Sequence, residues 1–131
     1  MRIMIDTNIL LSALVFNSSK LANLIEYVAE KHTLVLCSYV IDEANDVITR
    51  KSQKYKNVLD TFLLKMSYEM VYTPAWQSSM PDIRDEKDKP VLASAITADV
   101  DVLITGDGDF AEINIERPEI LKPADFLARY A

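Results

Sequence analysis

Glycine is almost absent from this chain: among 131 residues there are two, Gly106 and Gly108. Cysteine, histidine and tryptophan occur once each. The lone cysteine, Cys37, excludes an internal disulfide and fits a reducing cytoplasm. It ends an apolar run and reads as a small buried hydrophobe rather than a nucleophile. With His32 as the only histidine, no soft-ligand set for a metal can be assembled. His32 follows a charged helix end, where a cation is the expected role. Apolar runs are short, none approaching the roughly 20 residues that cross a bilayer. Residues 1–14 have the outline of a leader, but Asp6 interrupts them and no small-residue cleavage site follows, so they read as part of the fold. Repeats, low-complexity tracts and linkers are also missing, and the length predicts one domain over residues 1–131.

Net positive charge is missing too. The formal charge is −6, which argues against a nucleic-acid partner. Its distribution softens that conclusion. Residues 1–49 and 68–131 are acidic, whereas residues 50–67 hold five basic residues against one acid. Arg50, Lys51, Lys54, Lys56 and Lys65 form this island, either a phosphate-holding helix face or simply a solvated one.

Apolar residues make up 50% of the chain and charged residues 26%, as in ordinary globular domains. Strand and helix patterns alternate along it. Arg2-Ile3-Met4-Ile5 reads as a short strand closed by Asp6-Thr7-Asn8. Leu21, Leu24, Ile25 and Val28 follow the spacing of an amphipathic helix. Residues 33–37 read as a second buried strand, with Ser38 as N-cap of the next helix. That helix buries Val40, Ile41, Ala44, Val47 and Ile48. A further helix follows through Val58, Leu59, Phe62, Leu63 and Met66, and residues 70–72 form a short strand. Residues 74–87 are polar and irregular. Asp88 then caps a helix whose Pro90 suits the first turn. A strand over 100–105, another over 119–121 and a terminal helix from Pro123 complete the pattern. Strands joined by helical crossovers predict an α/β fold, a three-layer α/β/α sandwich around a mostly parallel sheet.

The acids fall at comparable places in that pattern. Asp6 and Asp107 each follow a strand, where ligands bind in open α/β sheets. Asp88 stands at a helix start, and Glu43 lies on the border of its helix's apolar face. Taken singly, Asp6 and Asp107 are ordinary turn formers, Asp88 a cap and Glu43 a border charge. Gathered at one edge they would repel unless a cation compensated. Hard oxygen ligands favour Mg²⁺ or Mn²⁺. Such an ion can lower the pKa of a bound water and neutralise a phosphoryl oxygen, and it inverts the local charge. Thr7, Asn8 and Thr105 can orient ligands or water beside the acids. The glycines bracketing Asp107 are expected to permit a sharp turn with room for metal and phosphate. Lys87 and Lys89 stand near enough to Asp88 to touch phosphate. Trp76 and Tyr72 read as packing residues, with base stacking or an oligomer contact as the alternative.

Taken in order, Ile5-Asp6-Thr7-Asn8, the helical Glu43, Asp85-x-x-Asp88 leading into Pro90-Val91-Leu92-Ala93-Ser94-Ala95, and Leu103-Ile104-Thr105-Gly106-Asp107-Gly108-Asp109-Phe110 resemble the PIN-domain family. The resemblance spans essentially the whole chain. It implies a Mg²⁺- or Mn²⁺-dependent endoribonuclease whose four acids are Asp6, Glu43, Asp88 and Asp107. Asp109 would be an additional ligand, and Asn8, Thr105 and Asp85 supporting groups, with Arg50, Lys51, Lys54 and Lys56 as contacts to the RNA backbone. Many similar single-domain proteins are toxins held by an antitoxin protein, and some are homodimers. The Thr-Gly-Asp-Gly-Asp-Phe segment departs from the Thr-x-Asn/Asp pattern of the best-known toxin branch. Two other readings compete with a cytoplasmic nuclease: a catalytically silent PIN-like module that binds RNA or a partner, and a phosphoacceptor receiver. The receiver reading lacks a second acid beside Asp6 and has only Lys122 as its lysine.

Overall fold

Successive strand residues point to opposite faces of a sheet, so a strand buried at every position needs cover on both sides. Ile3, Met4 and Ile5 meet that condition, as do Leu34 to Cys37 and Val102 to Ile104. The structure, a computed structural model, describes residues 1–131. Its strands are β1 (Arg2–Ile5), β2 (Thr33–Cys37), β3 (Glu69–Val71), β4 (Val102–Ile104) and β5 (Glu119–Leu121). The helices are α1 (Thr7–Leu14), α2 (Ser19–Lys31), α3 (Ser38–Thr49), α4 (Gln53–Lys65), α5 (Lys89–Thr97) and α6 (Pro123–Tyr130), with 3₁₀ turns at Glu86–Asp88 and Gly108–Glu112.

All five strands are parallel, in the order β3-β2-β1-β4-β5. Helices cover both faces, giving the three-layer α/β/α sandwich expected from the sequence. The central strand, β1, pairs Met4 with Val35 on one side and Leu103 on the other. The chain grows outward from β1 to β3, then returns to build β4 and β5 on the opposite flank. That reversal opens a crevice at the carboxyl ends of β1 and β4, where ligands bind in open sheets. The order also differs from the 2-1-3-4-5 of receiver-type domains, which removes the receiver reading.

Several local expectations are corrected. Residues 7–14, read only as a turn and its continuation, form helix α1. At eight residues, with only Asn8 and Ser12 marking a polar side, it is too short for periodicity to stand out. Ser38 does not cap α3. Cys37 holds the cap position without a side-chain bond. The Ser38 hydroxyl instead accepts from the Thr73 amide at 3.0 Å. Thr73 Oγ1 accepts from the Tyr39 amide at 3.1 Å and from the Ser94 hydroxyl at 2.9 Å. These bonds tie the start of α3 and the middle of α5 to the chain leaving β3. His32 does hold the C-cap position of α2, but its surroundings oppose the expected positive charge. Its Nδ1 lies 3.2 Å from the Met1 amino group, and its ring packs edge-on against Tyr27 and Phe126. Burial, then the Met1 ammonium, holds its pKa below the usual value. No single helix is long and apolar enough to cross a membrane.

Candidate active site

The site begins with Asp6. Leaving β1, it holds the N-cap position of α1 and accepts from the Ile9 amide at 3.0 Å. Its other oxygen accepts from the Thr105 hydroxyl. Thr105, buried just beyond β4, in turn accepts from the Asp107 amide at 3.1 Å. One hydroxyl therefore links the ends of the two strands flanking the crevice. Asp107 caps the following 3₁₀ turn, accepting from the Asp109 amide at 2.9 Å.

Glu43 reaches the same crevice from α3, and its carboxylate accepts from the Tyr39 hydroxyl at 3.2 Å. Tyr39 was not singled out from sequence, although its position one helical turn before Glu43 carries the signal. Burial first, then the Glu43 charge, pushes the Tyr39 phenol up to about 12. Asp88 stands just before α5 but makes no cap bond, contrary to the sequence reading. Asp85 caps the 3₁₀ turn Glu86–Asp88 that precedes α5, accepting from the Lys87 amide at 3.0 Å.

The four acids expected to act together, Asp6, Glu43, Asp88 and Asp107, line one cleft of about 260 Å³. Thr7, Asn8, Asp85 and Lys87 share its wall. Asp109 stands beside this set: one carboxylate oxygen from each of Asp85, Asp88 and Asp109 lies within 4.8 Å of the others. Arg84, which sequence did not flag, donates to Asp109 at 2.7 Å and is the one fixed cation on this cluster. Arg50, Lys51, Lys54 and Lys56 do not line the cleft. They occupy the turn between α3 and α4 and the start of α4, where Lys51 lies 5.3 Å over the Phe16 ring and Lys56 donates to Asn45 at 2.6 Å.

Charge crowding marks the cleft electrostatically. Asp6 is 6% exposed, and that burial raises its pKa, helped by Asp107 and Glu43 and opposed by the bonds from Thr105 and Ile9. Asp88 is pushed up to about 7, first by burial, then by a hydrogen bond shared with Asp107 and by the charges of Asp107, Asp85 and Asp109. Its Oδ2 is buried without a partner, as is Thr7 Oγ1. A carboxylate oxygen left in that state is costly. A hard cation would both satisfy it and relieve the repulsion, so the donor set fits a divalent metal.

The glycines need a different account from the expected one. Neither has a positive φ, and a Cβ on either would meet nothing within 4 Å. The turn around Asp107 does not sterically require them.

A family model for the PIN domain matches residues 2–109. The chain belongs to the PIN-domain family. No curated protein sequence matches this PIN domain significantly. Among solved structures, it is similar to VapBC2 from Rickettsia felis, solved bound to a DNA fragment from their promoter. The TM-score is 0.72 at 22% identity, covering 93% of this chain and 98% of that one. At that identity the likeness speaks for the fold.

Proposed function

We propose that this PIN domain is a Mg²⁺- or Mn²⁺-dependent endoribonuclease and the toxin of a toxin–antitoxin pair. The observation that carries the reading is the convergence of Asp6, Glu43, Asp88 and Asp107 on one cleft, with an unpartnered carboxylate oxygen among them. Those four acids would hold the ion, with Asp109 as a further ligand and Asp85 and Asn8 as supporting groups. The ion would supply a Lewis acid and a water of lowered pKa. Asp6 is held rigid by Thr105 and Ile9, which fixes one donor before substrate arrives. Lys87 on the cleft wall would meet a phosphate, and Arg50, Lys51, Lys54 and Lys56 would contact the backbone further along.

The toxin assignment draws on the fold likeness to VapBC2 together with family membership, and an antitoxin protein is the expected partner, with a homodimer as the assembly. In this reading residues 1–131 act as one domain in the cytoplasm. Incubating the purified protein with single-stranded RNA and Mn²⁺ tests the chemistry. Cleavage is expected, with Asp6→Asn at least about 100-fold slower. Metal binding without turnover on any RNA would instead identify a silent RNA- or partner-binding module.

A further inference from the structure

A second hollow of about 420 Å³ adjoins the acidic cleft, within the range of small-ligand sites, roughly 300–1,000 Å³. Tyr39, Asp42, Pro74, Trp76, Glu86 and Lys89 contribute to its lining. The two hollows share a wall. Tyr39 lines this one while its hydroxyl donates to Glu43 on the other side. Glu86 and Lys89 face it, whereas the intervening Lys87 and Asp88 face the cleft. A strand whose phosphate occupied the cleft would therefore have a neighbouring base within reach of this hollow.

We infer that this hollow is a nucleobase subsite, and that it selects guanine beside the cleaved bond; the inference rests on the nuclease reading above. Its walls offer flat rings for stacking, which is how unpaired RNA bases are held. Its charged groups are one ammonium and two carboxylates, while the Ser38 and Thr73 hydroxyls that also line it are engaged in bonds within the protein. Lys89 lies 5.3 Å from the Trp76 ring centre and 2.8 Å from Glu86, so Glu86 already has a partner while the ammonium keeps further N–H donors. No ion pair engages Asp42, which leaves its carboxylate available. Guanine's pairing edge carries a ring N–H and an amino group for a carboxylate, next to a carbonyl for an ammonium. Uracil places two carbonyls around a single N–H, and a carboxylate repels them. Adenine and cytosine present one amino donor beside bare ring nitrogens. The lining thus matches guanine's one acceptor and two donors.

Trp76 is the sole tryptophan, so its fluorescence reads this hollow directly, without metal or turnover. Titrating the metal-free protein with guanosine monophosphate should give saturable quenching. Uridine monophosphate should quench at least about tenfold more weakly, and Asp42→Asn should erase the difference. Mapping cuts in a random RNA pool should place guanine next to the scissile bond, with Trp76→Phe and Asp42→Asn weakening that preference. Equal quenching by both nucleotides, or parent cleavage without guanine preference, overturns the subsite. If guanosine monophosphate binds but no RNA is cut, guanine recognition by the hollow stands, while the nuclease reading and the subsite's place beside a cleaved bond are overturned.

Discussion

Asp88 bears most of the like-charge stress in the cleft, and its consequence is a pH-dependent stability of the metal-free protein. Its folded pKa, about 7, lies above the ordinary aspartate value of 3.8. Between those values the folded state holds a proton that the unfolded state has released, so stability falls as pH rises through the window. With chelator present, the Tm should drop between about pH 4 and about pH 7, and Asp88→Asn should flatten the dependence. Thr105 has a different consequence. Its hydroxyl serves both Asp6 and the Asp107 amide, and Thr105→Val strands both groups. Urea unfolding should show a loss of about 1–3 kcal/mol. The acids were legible from sequence because strand ends and helix borders fix where a side chain emerges. Arg84 was not, since its partner Asp109 lies 25 positions away and no local period joins them.

Among the elements, the buried strands were readable because β-branched and apolar runs between polar turns have few other uses. Helix α1 was hidden by its shortness, eight residues running straight on from β1, and the caps were only partly legible. Ser18 does cap α2, accepting from the Leu21 amide, so Ser18→Ala should cost about 1 kcal/mol. Ser38 resembles it in sequence but bonds the chain after β3. Its replacement by Ala should therefore speed hydrogen exchange at the Thr73 amide, where a cap would have loosened the first turn of α3 instead. Which of these two serines caps depends on a partner 35 residues away, beyond any local rule. The glycine turn belongs at this scale as well. Because a Cβ is accommodated, Gly106→Ala and Gly108→Ala should change folding stability by no more than about 0.5 kcal/mol. Any loss of RNA cleavage in these variants would then report on space for substrate, not on folding.

At the scale of the whole molecule, the acidic cleft and the basic α3–α4 turn form two separate charged regions on a chain of net charge −6. If the basic turn follows the RNA backbone, exchanging Arg50, Lys51, Lys54 and Lys56 for Glu should weaken RNA binding and flatten its dependence on salt. An unchanged salt slope would confine RNA to the cleft. The two margins of the sheet set a further limit. β3 and β5 are three residues long, and each carries a glutamate paired with an arginine, Glu69 with Arg2 and Glu119 with Arg129. Brief, charge-bearing edges are poor templates for an incoming strand. Growth of the sheet by edge-to-edge stacking is thereby discouraged, and any inhibitor or second copy gains more by seating on helices than by extending the ladder.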